Sequence, residues 1–360
     1  MDGLLEPFQS LGLNIPRPPP TNRIDSLEEG PRQTRVPRYL FRVFTPRSDG
    51  ETSRDLVRSR DHVNGHGTAP ITLDVSECEA PSETAYLIWS HLMWKNFARD
   101  NLMSWTNSLL FAIQYAFYRH AHWKDMSAFR DINILVVDTV EFPADTFICD
   151  VDLINAFSAY DQDLASFKKL RAGDYYFGEF LSQGALAIRG IPVVVSAQSM
   201  IDAGLLELRA DFKQTYNFPS RSPKWANEVL RMRQRFISPS RDVSSQEIEI
   251  ACRVGRLFGR DFRLPIAIQL TALCLGHLNV DTVTEIFDYE SEFDGEPQYF
   301  LLSDGCSRNS SSLSIDDERS ACAASSSEMM QTSTMPELER ARFTADVIYA
   351  SYCQRKIQGP

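Results

Sequence analysis

The sequence predicts an α+β protein in which a mixed core of strands and helices is followed by a helical lobe. Two strand-like runs, YLFRVF at Tyr39 to Phe44 and INILVVD at Ile132 to Asp138, are interleaved with helix-periodic segments, but not in a regular strand–helix–strand alternation. From about Pro223 the strand signal fades and three helix-periodic segments follow one another. At 360 residues the chain also exceeds the usual size of a single core, so one large domain with appendages, or two domains, is expected.

Residues 1–36 carry PRPPP and EEGPRQTR, which resist helix and sheet alike, and are read as a disordered arm. Tyr39 to Thr45 is the first strand, followed by turn material in PRSDGETSRD, and a short helix is expected around Asp55 to Arg60. The stretch after it reads as irregular, and Thr84 to Phe97 is helix-periodic, with Leu87, Ile88, Leu92 and Met93 on one side. A short segment, Leu102 to Trp105, then feeds an amphipathic helix bearing Leu109, Leu110, Ala112, Ile113, Ala116 and Phe117, with Thr106, Asn107 and Ser108 available to cap its first turn.

INILVVD is apolar throughout, as expected of a strand buried on both faces. Asp152 to Leu170 has helical spacing, and YYFGEFLSQGALAIRGIPVVVS holds a further pair of strands broken by Gly184 and Gly190. Ser199 to Leu208 reads as a short helix capped by Ser199. The helical lobe spans 222–302, and DVSSQEIEIA offers a capping box from Ser244 or Ser245 to Glu247 or Glu249. Residues 303–335 are serine-rich with few large apolar groups and are read as disordered, because they cannot bury enough surface to offset ordering entropy. A last helix, Glu337 to Gln358 within a 336–360 unit, is expected to return to the lobe through Phe343, Val347, Ile348 and Tyr352.

Composition narrows the function classes. With a net charge of -11, the chain lacks the cationic excess of a general nucleic-acid binder, and the basic residues of RMRQRF, Arg231, Arg233 and Arg235, read as a solvated helix face. The first residues resemble no export signal and no run is long and apolar enough to span a bilayer, so an intracellular place, cytoplasmic or nuclear, is expected. The 7 cysteines are scattered and form no CxxC pair, which fits reduced thiols better than a disulfide framework or a zinc site. His62 and His66 flank a turn-forming Asn-Gly without a third ligand, and His120 and His122 suit a helix C-terminus, so no metal is expected. Signatures of phosphate-binding loops, dinucleotide-binding turns, zinc peptidases and hydrolase elbows are absent from the sequence.

Three elements remain: Arg42 inside a strand, MSWTNS before a helix, and Glu179 in FGEFLSQG. Arginine and glutamate are rarely buried alone, so each predicts a partner or a charged ligand. Their order resembles the ADP-ribosyltransferase fold of the cholera-toxin-like class, whose catalytic residues run arginine, a serine–threonine–serine strand, then glutamate. YLFRVF is similar to the first motif at Arg42. S-W-T-N-S-L-L-F-A, from Ser104 to Ala112, is similar to the second, with Trp105 in place of its middle threonine. Glu179 with Gly184 is similar to the third. The resemblance covers roughly residues 37–205, within an expected domain of 37–210, and the same segments resemble an uncharacterised fungal domain family with an E-[FY]-L-x-x-G strand.

The resemblance implies a split β-sheet core with flanking helices and NAD as substrate. Glu179 would stabilise the oxocarbenium-like ribose as the nicotinamide bond breaks, Ser104 with Thr106 in support would orient carboxylate and ribose, and Arg42 would grip a pyrophosphate or brace the cleft. Phe44, Tyr175 and Tyr176 are the aromatics available to stack on the nicotinamide. Arginine-modifying members carry a second glutamate two residues before the catalytic one, and Phe177 stands there in this sequence, so arginine is not the implied acceptor. The implied activity is mono-ADP-ribosyl transfer to a protein acceptor, or NAD hydrolysis. Two other readings compete with it: a non-catalytic interaction module on the same scaffold, with Arg42 and Glu179 as a structural ion pair and the serine segment as a helix cap, and a domain that binds a nucleotide without cleaving it.

Overall fold

A computed structural model describes residues 36–67, 69–95, 99–190, 192–217, 225–236, 241–278, 280–281, 283–284 and 335–358. All of the predicted arm but Val36, and all of the predicted serine-rich segment but Met335, lie outside the described residues.

A six-stranded antiparallel sheet forms the centre. It is built from β1 (Tyr39–Phe44), β4 (Leu102–Thr106), β5 (Asn133–Asp138), β6 (Ile148–Cys149), β7 (Glu179–Gln183) and β9 (Val193–Ser196), in the order β6-β7-β4-β1-β5-β9. A small second sheet pairs β2 (Glu51–Thr52), β3 (Leu56–Arg58) and β8 (Ala185–Ala187). The helix expected around Asp55 to Arg60 is therefore mostly strand, with α1 (Arg60–Asn64) starting only after Ser59, whose side chain caps it.

Alternation along the strands sorts the core into two faces. On one face, Tyr39, Phe41, Ile134 and Val136 pack under α3 (Leu109–Ala121), and Leu102, Ile148 and Leu181 pack under α2 (Pro81–Leu92), α4 (Asp150–Phe157) and α5 (Gln162–Arg171). On the other face Leu40, Met103, Trp105, Leu135, Val137 and Phe180 meet Val57 and Leu186 of the small sheet and Ile188 just after it.

Several expected boundaries shift for local reasons. The helix expected at Thr84 to Phe97 begins at Pro81, where the missing proline N–H costs nothing in a first turn, and ends at Leu92. Asp152 to Leu170 divides into α4 and α5 because Asp161 caps a new helix by accepting from the Leu164 amide. Likewise α6 (Ala197–Asp202) is capped by Ser196 rather than Ser199. Ser108 caps α3, and the expected capping box is present as Ser244 with Glu247 at the start of α9 (Ser245–Arg256).

The lobe continues through α7 (Ala210–Asn217), α8 (Trp225–Gln234), α9 and α10 (Gly259–Leu273), and the C-terminal helix α11 (Pro336–Gln358) packs against α10. One apolar cluster runs without a break from Tyr39 and Phe41 through α3 and α7 to α10, and on to Ala341, Ala345 and Ile348 of α11.

Candidate functional site

The strip of sheet between α2 and α3 carries most of the residues singled out above. Thr106 of β4 stands directly opposite Glu179 of β7, and Ser104 opposite Leu181, so Ser104, Thr106 and Glu179 share one face. Leu102 to Trp105 is thus a central strand rather than a mere lead-in to α3.

Arg42 explains itself through a break in pairing. β1 and β4 are joined at Phe41 and Thr106 alone, and from the next residue on they no longer pair. Arg42 fills the gap with a side chain: one guanidinium nitrogen donates to the Ser104 carbonyl at 2.8 Å, and Nε donates to Thr52 Oγ1 at 3.2 Å. The Trp105 ring lies 5.8 Å from its guanidinium carbon. Burial lowers its pKa to about 10, still far above neutrality. By alternation Arg42 starts from the face opposite Thr106 and Glu179, and it pairs with neither. Phe44 lies on that same opposite face, packed into its apolar cluster, so it does not border the Ser104 strip.

Glu179 has a different partner. Its Oε2 accepts from Arg171 at 2.5 Å, and the Arg171 Nε lies 3.1 Å from Asp150 Oδ2. The guanidinium carbon sits 4.9 Å from the Phe167 ring and 5.8 Å from the Phe177 ring. This buried acid–base–acid cluster fixes the position of Glu179. Burial pushes Asp150 up to about 7, with Arg171 opposing and Glu179 adding to the rise. Nothing in the sequence linked Arg171 to Glu179, because the arginine ends a helix whose last turn is basic for ordinary dipole reasons.

The turn before Glu179 is equally constrained. Gly178 has φ +63°, and a Cβ there would lie 1.8 Å from Asn107 Oδ1, so no side chain fits. Its carbonyl accepts from the Asn107 amide at 3.0 Å, and the Phe177 carbonyl accepts from Thr106 Oγ1 at 2.8 Å. The MSWTNS segment therefore both caps α3 and clamps the approach to β7.

One residue that the sequence reading passed over joins the site. His91, in the last turn of α2, places Nε2 2.8 Å from Ser104 Oγ and Nδ1 2.8 Å from Asp100 Oδ2. Asp100 is held in turn by the Leu102 amide at 3.0 Å. The four other histidines considered form no such relay: His120 Nδ1 meets the Ser127 carbonyl, and His66 meets Asp61 in and just after α1. His91 lay inside a helix-periodic run, and its 13-residue separation from Ser104 crosses a loop, so no pattern marked it.

The aromatics beside the strip also differ from those expected. Phe111 of α3 stacks on Phe177 at 5.2 Å and on Tyr115 at 6.0 Å, and Trp94 lies 5.2 Å from Tyr115. Tyr175 packs edge-on to Phe177 at 6.4 Å, while the Tyr176 hydroxyl meets Cys149 Sγ at 3.7 Å. An open cleft of about 610 Å³ lies in the lobe, bordered by Arg209, Lys213, Arg235 and Arg241 together with Glu207 and Glu247, and touches none of these residues. Among the described residues no group of three or more metal-ligating side chains occurs, and no helix is long and apolar enough to cross a membrane.

Residues 35–188 match the model of a family described as a domain of unknown function, DUF7587. That span, under half of the chain, takes in β1 through β8 and every residue of the Ser104–Glu179 strip, but not the lobe. No curated protein and no solved structure matches the chain.

Proposed function

We propose that the sheet domain binds NAD and cleaves its nicotinamide–ribose bond, releasing ADP-ribose to water or to an acceptor. The observation that carries this reading is the register of β4 and β7, which sets Glu179 opposite Thr106 and on the same face as Ser104. A carboxylate held beside the ribose stabilises the positive charge that develops at the anomeric carbon, where a fixed charge acts with little reorganisation. Arg171 fixes that carboxylate, and the His91–Asp100 pair fixes the Ser104 hydroxyl. The stacked, partly exposed rings of Phe111 and Tyr115, backed by the buried Phe177, offer flat apolar surface of the kind a nicotinamide or adenine ring fills. Arg42 serves as a brace between β1 and β4 rather than as a pyrophosphate grip, since its contacts are the Ser104 carbonyl and Thr52.

Calorimetric titration of NAD into the wild-type protein and into Glu179→Gln, with nicotinamide release followed in both, tests the reading. NAD binds both proteins, and release falls about a hundredfold or more in the variant, the scale seen when one transition-state charge contact is removed. Equal release from the two proteins overturns the mechanism, and absence of NAD binding overturns the reading itself.

A second reading is favoured by the buried Asp150–Arg171–Glu179 cluster, which resembles a structural ion network as much as a catalytic one. It makes the domain a binding module on the same scaffold, and NAD binding without nicotinamide release is its signature.

A further inference from the structure

The Ser104–His91–Asp100 relay has the geometry of an activated nucleophile. Ser104 Oγ lies 2.8 Å from His91 Nε2, and His91 Nδ1 lies 2.8 and 2.9 Å from the two Asp100 oxygens. With the Nδ1 proton directed at the carboxylate, Nε2 is left as the acceptor for the serine proton, which is the tautomer a general base requires. His91 and Asp100 side chains are only 10% and 16% exposed, so the relay is shielded from bulk water yet not sealed. Trp94 follows His91 by three residues, with its amide bonded to the His91 carbonyl at 2.9 Å and its indole 5.2 Å from the Tyr115 ring. Trp94 adopts φ +53°, an uncommon conformation for a bulky residue.

We propose that Ser104 is a nucleophile toward activated acyl groups and that the natural substrate class is a carboxylic ester with an aromatic leaving group. Ser104 Oγ adds to the acyl carbon while its proton passes to His91 Nε2, and Asp100 stabilises the imidazolium through Nδ1–H. Collapse breaks the carbon–oxygen bond to the aryl group, which leaves with the proton from His91. Water, deprotonated by His91, then attacks the acyl-serine and returns the serine hydroxyl and a carboxylic acid. The step needs neither NAD nor Glu179, so its fate is separate from that of the reading above.

The test treats the full chain with a fluorophosphonate, which forms an Oγ–P bond and expels fluoride, and maps the modified residue by peptide mass. Turnover of 4-nitrophenyl acetate is measured in parallel. Label is expected at Ser104, with labelling and ester turnover lost in Ser104→Ala and reduced at least tenfold in His91→Gln. Ser104→Ala removes one hydroxyl from a folded strand, so the test holds even where His91→Gln fails to fold. Absence of label from the folded wild type, label at a different residue, or a Ser104→Ala variant as reactive as the wild type each overturns the proposal and leaves the relay as a clamp between α2 and β4.

Discussion

Arg171 is the residue on which Glu179 depends. It is buried between Asp150 and Glu179, and replacing it with methionine leaves the buried Asp150 and the partly buried Glu179 without this counter-charge. Removing one partner of a buried ion cluster costs on the order of 3–5 kcal/mol, so Arg171→Met is expected to lower the denaturation midpoint sharply, as read by urea unfolding. The pH dependence follows from Asp150, raised in the folded protein to about 7 from an ordinary carboxylate value. A group raised on folding binds its proton more tightly in the native state, so its contribution to stability is present below its unfolded pKa and is lost as pH rises toward 7. Asp150→Asn is therefore expected to flatten the decline in stability between about pH 4 and 7, and an unchanged slope in that variant would assign the decline to other groups. Sequence reasoning correctly flagged Arg42 and Glu179 as charges in need of partners. It could not name those partners, because the Ser104 carbonyl lies 62 residues from Arg42 and both Asp150 and Arg171 sit on separate helices.

At the scale of elements, the strands and helices with strong periodicity were legible: β1, β5, α3, the capped α9 and the C-terminal helix fall where apolar spacing and caps place them. The misplacements are local contests that a cap or a proline decides, as at Pro81, Asp161 and Ser196. Register was not legible, and register makes the site, since a shift of one residue between β4 and β7 would turn Glu179 to the opposite face from Ser104. Gly178 guards that register. Gly178→Ala must enter an αL conformation and displace Asn107, so a loss of about 1–3 kcal/mol is expected, together with loosened capping of α3. Thermal unfolding of this variant beside Ser244→Ala gives a scale: the latter breaks one capping box in the lobe and is expected to cost about 1 kcal/mol.

At the scale of the molecule, the two units that composition suggests share one apolar core. One apolar cluster holds residues from both sides of the expected boundary between 210 and 222, and joins the sheet, α3, the lobe and α11. Arg233, expected on a solvated face with Arg231 and Arg235, is instead buried, where it donates to both Glu337 oxygens at 2.8–3.2 Å and to the Tyr176 carbonyl at 2.7 Å. Its neighbours behave differently: Arg231 pairs with Glu228 at 2.9 Å, and Arg235 pairs with Asp211. A partner 104 residues away leaves no trace in helical spacing, which is why all three arginines read alike. Glu337 also accepts from Ser108 Oγ at 2.8 Å, at the N-terminus of α3, so the C-terminal helix closes onto the two turns that precede β7 and α3. The lobe is thus part of what holds Glu179 and Ser104 in place. A chain ending at residue 210 loses the apolar cover of α3 and leaves Ser108 without its carboxylate partner. It is expected to be insoluble or molten, while the full chain unfolds in a single cooperative transition. Amide exchange separates the alternatives. Protection of β4 and β7 that disappears together with that of α9 and α10 fits one cooperative unit, whereas a folded, protected 37–210 fragment would show that the sheet domain stands alone and that the Arg233–Glu337 pair is peripheral.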